Sequence, residues 1–359
     1  MNIIIFGGSF DPIHNGHLNM AEKAQKDLNG EVYFVPAPIS VWKETSIPVE
    51  HKINMVKLAI EEKEHFHIDT FEIDSGKKTN YSIDTVRYFK VKYPEAKLYY
   101  LIGYDQVNEF HRWKDAEELA ELAQIIFFVR PDIEIKNDNI QRFHMQEIRG
   151  GGIIVSSSDI RNLKSLNMPD SVIYYIAEHR LYCVKKMQEY INERRLSHSI
   201  SVAKTAYEIA KANKMDRPER AYIAGLLHDI GKWSDESKER KVVEAHFPEY
   251  LSLPPFAYHQ FAGAWTAQND FGIEDQEMLD AIKFHATGSG DMTALGKIIY
   301  AADKIEPTRG FDSSDLIEAM MKDYESGFKI VLQANKEFLE SHRGNIDNPL
   351  TSKCFQKYL

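Results

Sequence analysis

Two groups of residues in this 359-residue chain have the types and spacing for chemistry. The first is the string GGSFDPIHNGH at residues 7–17. Gly7 and Gly8 let the backbone turn tightly and come close to a ligand. Ser9 and Phe10 continue the same loop. His14 and His17 stand three residues apart where a helical pattern begins, so both rings can address one anion. A helix N-terminus adds unpaired N–H groups and a positive dipole end. Together these suit the α-phosphate of a nucleotide. The plain alternative is a loop of turn residues with two surface histidines. The complete string, placed directly after an apolar run, speaks against it.

The second group is His198, His228, Asp229, His259, His285 and Asp303, each beside helical pattern. A lone histidine in such a pattern is usually a satisfied core residue. Six candidate ligands in one helical region are different. Burying imidazole and carboxylate together is unfavourable unless they pair or hold a metal. Nitrogen and oxygen donors without thiolate suit Fe, Mn, Co or Zn in an open catalytic geometry. Six ligands exceed what one metal needs if substrate and water also bind. Two metals follow, with Asp229 as the bridge. Such a centre can activate hydroxide and clamp a phosphoryl group for in-line attack.

These groups need elements to position them. Residues 2–6, 32–36, 65–73, 98–102, 125–129 and 153–155 read as strands. Helical patterns at 16–28, 50–62 and 83–92, and between 102 and 125, separate them. That alternation predicts an α/β domain with a parallel sheet and helices on both faces. Beyond about residue 168 only helical patterns appear, broken at Pro218, Pro248, Pro254, Pro255 and Pro307. Residues 187–195 read as a helix running straight into this all-α part. The expected division is 1–182 and 183–359, with no internal repeat and no flexible linker.

Composition sets bounds. Hydrophobic residues make up 43% and charged residues 27%, ordinary for a globular protein. The net charge of −10 argues against nucleic acid as a partner. Cys183 and Cys354 form no disulfide or zinc-thiolate pattern. With no signal peptide and no apolar run of spanning length, the expectation is a cytoplasmic protein without a membrane partner. The sequence leaves a homo-oligomer open.

The first half resembles the nucleotidyltransferases with an H-x-G-H signature, and among them the bacterial nicotinate-nucleotide adenylyltransferases, with a Rossmann-like fold. The likeness spans roughly residues 1–182 and is carried by further stretches in order. These are NYSIDT at 80–85, IGYD at 102–105, Trp113-Lys114, and VSSSDIR at 155–161. The resemblance implies that the phosphate of nicotinate mononucleotide attacks the α-phosphorus of ATP, giving dinucleotide and pyrophosphate. His14 and His17 would stabilise the transferring phosphate, and Ser157 and Arg161 the outgoing phosphates. Mg²⁺ would neutralise pyrophosphate. Tyr81, Ser82 and Trp113 would line the nicotinate pocket, and Asp105 would stand at a strand end beside the nucleotide. There are departures. Ser82 replaces a usual Thr, and His51-Lys52 replaces a usual H-R pair. The loop at 38–43 is not the usual P-P-H-K run, although Lys43 could still supply its charge.

The second half resembles the HD-domain phosphohydrolases over about residues 185–345, and most closely the bacterial YqeK branch. The order H…HD…H…H…D carries this, with LSHSISVA at 196–203, IKFHATG at 282–288 and IIYAADKIEPTR at 298–309. The resemblance implies symmetrical hydrolysis of diadenosine tetraphosphate to two ADP by two metal ions, in this branch iron. Asp229 and Lys232 would be catalytic, and Lys232 and Arg309 would address the substrate phosphates; solvated surface charge is the plain alternative for the two cations. Where the family has H-T-T-G, this chain has His285-Ala286-Thr287-Gly288. Other readings keep both folds with nicotinamide mononucleotide and a different phosphoester, or make the second half a nucleotide sensor.

Overall fold

The isoleucines near the N-terminus form the middle of a sheet. In the computed structural model, which describes residues 1–38, 47–77, 80–128, 137–148, 150, 153–233, 235–343 and 348–359, Ile3, Ile4 and Ile5 are fully buried. They lie in β1 (Asn2–Gly8), and continuous burial is what a central parallel strand requires. The other strands are β2 (Glu31–Pro36), β3 (Phe66–Ile68), β4 (Lys97–Ile102), β5 (Gln124–Phe128) and β6 (Gln146–Ile148). The six-stranded order is β3-β2-β1-β4-β5-β6, with every pairing parallel. The α/β reading of this half therefore holds. Strand order reverses between β1 and β4, which opens a crevice at their carboxyl ends.

Two strand expectations need correction. The run 65–73 is a strand only over Phe66–Ile68. Asp69 then accepts the backbone N–H of Phe71 at 2.9 Å, turning the chain into the short helix Phe71–Asp74. Residues 153–155 form no strand, and Ile154 is 67% exposed. The sheet ends instead on β6, whose Gln146 and Glu147 are exposed and give no apolar alternation to read.

The chain divides into two compact units, Met1–Arg161 with Ser165–Tyr182, and Asn162–Lys164 with Cys183–Leu359. Among the described residues the second unit contains helices and no strand, as the helical patterns require. The helix expected over 187–195 is interrupted. Cys183–Met187 ends, and Asn192 starts the helix Glu193–Ala212 by accepting the Arg195 N–H at 3.1 Å. Asn is a strong N-cap, and that was the signal against continuity.

Two further helices that lead to or carry candidate ligands are capped in the same way. Asp275 caps Gln276–Lys283, and Thr293 caps Ala294–Ile305. Their apolar faces fill the core, with Leu196, Val202, Leu226, Leu227, Ile298 and Ile299 fully buried. After His228-Asp229 the chain lies directly on the helix Tyr258–Asn269. A Cβ on Gly231 would sit 2.3 Å from the His259 carbonyl oxygen and from the Gly263 nitrogen, so only hydrogen fits there. Among the described residues no helix is long and apolar enough to cross a membrane.

Candidate active sites

In the first unit a cavity of about 650 Å³ opens at the carboxyl ends of β1 and β4. Gly7, Gly8, Ser9 and Phe10 line it, together with His14 and His17. Tyr81, Ser82, Asp105 and Trp113 line the same cavity, as do Ser157 and Arg161. The sequence stretches thus converge on one space. Lys43 lies outside the described residues.

His14 and His17 open the helix Asn15–Leu28 as a mutual cap. The His17 N–H donates to His14 Nδ1, and the His14 N–H donates to His17 Nδ1, each at 3.3 Å. Their rings stack with centroids 3.6 Å apart. Because each Nδ1 accepts, each neutral ring carries its proton on Nε2. The pair therefore offers N–H donors where the helix dipole already favours an anion.

The glycines act differently from the expectation. Gly7 and Gly8 are the last residues of β1 and do not make the turn. Their value is the missing side chain: a Cβ on Gly7 would lie 2.6 Å from the Tyr100 hydroxyl oxygen. The turn falls at Phe10, whose φ is +42°. A buried aromatic there is held by edge contacts to Phe6 and His17, at 5.4 and 5.1 Å between centroids.

The loop after Phe10 is held from its other side. Tyr182 donates its hydroxyl to Asp11 Oδ1 at 2.6 Å. Arg161 donates to the Asp11 carbonyl, and Ser157 to the Pro12 carbonyl at 2.9 Å. Ser157 and Arg161 thus brace the loop while lining the cavity. Lys52, where the resemblance expects arginine, is fully buried with Nζ 3.5 Å from the Pro38 carbonyl. Burial holds its pKa below the usual lysine range, opposed by Asp11.

Across the cavity Tyr100 donates to Ser82 Oγ at 2.8 Å and meets Trp113 edge to face. Lys114 Nζ sits 4.4 Å from the Tyr81 ring centroid. Glu72 lies in the same wall, with Thr85 donating to it at 2.7 Å. Burial raises its pKa, and the Thr85 bond opposes the shift.

In the second unit the six predicted ligands converge. His198 lies on Glu193–Ala212, His259 on Tyr258–Asn269 and Asp303 on Ala294–Ile305. His228-Asp229 stands just past the helix Glu219–Leu227, and His285 just past Gln276–Lys283. Ligand atoms of His198, His228 and Asp229 lie within 4.8 Å of one another, and so do those of Asp229, His259 and His285. Asp229 belongs to both groups. Its Oδ1 is 3.7 Å from His228 Nε2, 3.5 Å from His259 Nε2 and 3.3 Å from His285 Nε2. Asp303 Oδ1 is 3.1 Å from His198 Nε2 and 3.5 Å from His228 Nε2.

The outer contacts fix which nitrogen faces inward. Nδ1 of His228, His259 and His285 each lies 2.7 Å from a backbone carbonyl, of Gly225, Phe256 and Ile282. A carbonyl only accepts, so these Nδ1 atoms carry protons and each Nε2 presents a lone pair. His198 Nδ1 bonds Glu306 Oε1 at 2.8 Å. His228 Nε2 and Asp229 Oδ1 are buried without a hydrogen-bond partner. Such orphaned atoms, among neutral imidazoles and carboxylates, are what a divalent metal would satisfy, so the residues fit one.

The electrostatics agree. Burial lowers the pKa of His285 to about 4 and holds that of His259 well below the usual range, so both rings are neutral. Burial would raise the carboxyl pKa of Asp229, but His228, His285 and Lys232 hold it well below the ordinary value. Asp303 is held down against burial by Lys304, His198 and His228. Burial alone would lower His198, yet its bonds to Asp303 and Glu306 leave it raised.

The cations are engaged. Lys232 Nζ and Arg195 Nη1 lie 2.9 and 3.3 Å from Asp229 Oδ2. Arg309 donates to the backbone oxygen and Oδ1 of Asp303, and Lys304 to its Oδ2 at 2.7 Å. Sequence reasoning missed Glu306, Arg195, Lys304 and Tyr182. Glu306 could have been found, since it follows Asp303 by three residues in the most distinctive stretch. Tyr182 carried no local signal.

A cytidylyltransferase-like family model matches residues 5–163, and an HD domain model matches residues 195–308. Over 343 residues the chain is 31% identical to a Mycoplasma genitalium protein named probable nicotinate-nucleotide adenylyltransferase/Ap4A hydrolase, covering 92% of this chain and 97% of that one. The chain belongs to this nicotinate-nucleotide adenylyltransferase/Ap4A hydrolase family. A Mycoplasma pneumoniae member of the family is 28% identical over 92% of this chain and 98% of its own. A probable nicotinate-nucleotide adenylyltransferase of Clostridium botulinum is 35% identical, covering 51% of this chain and 99% of that one. The likeness to the two Mycoplasma proteins thus extends over nearly the whole chain.

Proposed function

We propose that the chain is a bifunctional enzyme with its activities divided between residues 1–182 and 183–359. The first half transfers AMP from ATP to nicotinate mononucleotide. The mononucleotide phosphate attacks the α-phosphorus, the α–β bond breaks, and pyrophosphate leaves. No protein nucleophile is needed, so the contribution of the protein is positioning and charge stabilisation. The carrying observation is the mutually capped His14–His17 pair that lines the cavity. Its Nε2–H groups would stabilise the transferring phosphate. Gly7, Gly8, Ser9 and Phe10 cradle the nucleotide with Asp105 beside it, and Lys43 is assigned a phosphate-binding charge. Ser157 and Arg161 serve the leaving phosphates together with Mg²⁺. Tyr81, Ser82 and Trp113 receive the pyridine ring.

The second half hydrolyses diadenosine tetraphosphate to two ADP. The carrying observation is that Asp229 belongs to both ligand groups, which favours two metals that would share this residue. His198, His228, Asp229 and Asp303 would hold one, and Asp229, His259 and His285 the other; iron is the metal we assign. The chemistry such ions supply is activation of water and neutralisation of phosphoryl charge. Lys232 orients Asp229 and, with Arg309, attracts the polyphosphate.

Product analysis on the full chain tests both halves. Nicotinate mononucleotide and ATP should give dinucleotide and pyrophosphate, and His14→Ala should stop this alone. Diadenosine tetraphosphate should give ADP as sole nucleotide, and His228→Ala should stop that alone. Failure of the wild-type chain in either assay removes that half of the proposal.

A further inference from the structure

His285 is a ligand outside any helix. It stands beyond the end of Gln276–Lys283, in a turn that leads to Gly288 at φ +70°. Its ring is anchored on the Ile282 carbonyl at 2.7 Å and its own carbonyl accepts from Lys304 at 3.2 Å, while the turn beyond it is held from another helix. Gln260, the residue after His259, is fully buried. Its Oε1 accepts the backbone N–H groups of Ala286 and Thr287 at 3.2 and 3.3 Å. Its Nε2 donates to Thr287 Oγ1 at 3.1 Å. The backbone after one ligand is thereby tied to the side chain that follows another, and the two Nε2 atoms stand 3.2 Å apart. The Ala286 position, where the family pattern has a hydroxyl, offers no side-chain donor of its own.

We infer that Gln260 is a positioning residue that sets the His259–His285 spacing and so governs one of the two metal positions. The other ligands are held without it. His228 is anchored on Gly225, and His198 on Glu306. Removing the amide takes the acceptor from the N–H groups of half-buried Ala286 and buried Thr287, and the turn carrying His285 must move to satisfy the buried one. The effect falls on the Asp229–His259–His285 group and spares the group built on His198 and His228. This rests on the two-metal reading above.

Native mass spectrometry of the full chain titrated with Mn²⁺ tests it. The wild type should reach two ions per chain. Gln260→Leu should hold one tightly and bind the second on the order of 10–100-fold more weakly, the size of effect usual for an outer residue of a metal site. Gln260→Glu keeps the acceptor and should restore two. Circular dichroism and thermal melting report whether each variant is folded. If Gln260→Leu does not fold, Gln260→Met carries the same expectation. A folded Leu or Met variant that binds two ions with wild-type affinity overturns the inference. So does a folded variant that loses both. A wild type that stops at one ion instead overturns the two-metal reading, and the Gln260 inference with it.

Discussion

The ring of His14 lies flat against the ring of His17, and each imidazole caps the backbone N–H of the other. One pair of side chains therefore starts the helix and presents the donors. The two roles separate by substitution. His14→Asn keeps an N-cap oxygen but removes the ring, so stability should stay within about 1 kcal/mol. Dinucleotide formation should fall about 10²–10³-fold, the usual loss for one transition-state donor. Melting curves and steady-state kinetics on the same preparation check both.

Gly7→Ala puts a methyl group 2.6 Å from the Tyr100 hydroxyl oxygen, displacing the side chain that bonds Ser82. Adenylyl transfer should weaken by at least about tenfold, since small displacements of positioning groups have large effects on rate. Removing the obstructing oxygen in Gly7→Ala/Tyr100→Phe should recover part of that loss. An unimproved double variant would show that the glycine is needed for another reason.

Stripping metal should silence cleavage of diadenosine tetraphosphate and leave dinucleotide synthesis in Mg²⁺ unchanged. It should also lower the melting temperature of the second unit, because ligand that binds only the folded state stabilises it by about 2.7 kcal/mol at 100 times Kd. Calorimetry before and after chelation, with metal added back, is the measurement.

Asp275 links folding to pH. Burial would raise its pKa, but Arg220 at 2.7 Å and the N–H groups of Glu277 and Met278 lower it below 3.8. A depressed carboxyl contributes stability above the unfolded-state value and loses it as pH falls through the folded-state value. Asp275→Asn keeps a capping oxygen and removes the charge. The variant should melt a few degrees lower (~3 °C) at neutral pH, with the gap closing below about pH 4. A gap independent of pH would mean that the charge contributes nothing.

The sequence disclosed chemistry better than boundaries. The six ligands were readable because histidines and carboxylates recurring among apolar helical patterns have few other uses. The sheet was readable where strands are buried on both faces, as in β1 and β4. It was misread at residues 153–155, where apolar residues are exposed, and at β6, where an edge strand carries polar ones. The Asn192 cap was present in the sequence but hidden within a long helical pattern. Gln260 and Tyr182 could not be read, because their roles consist of contacts to residues distant in sequence. The function of Gly7 depended on Tyr100 in the same way.

Tyr182 closes the first unit in sequence, and its hydroxyl holds Asp11 in the loop near the start of that unit. The last residue of the domain is therefore part of the architecture of its first loop. Cutting the gene a few codons earlier would remove a support of the nucleotide cradle while leaving every sheet strand intact. Exchange of the downstream half for another module, in a laboratory or during evolution, is constrained to junctions that retain this tyrosine.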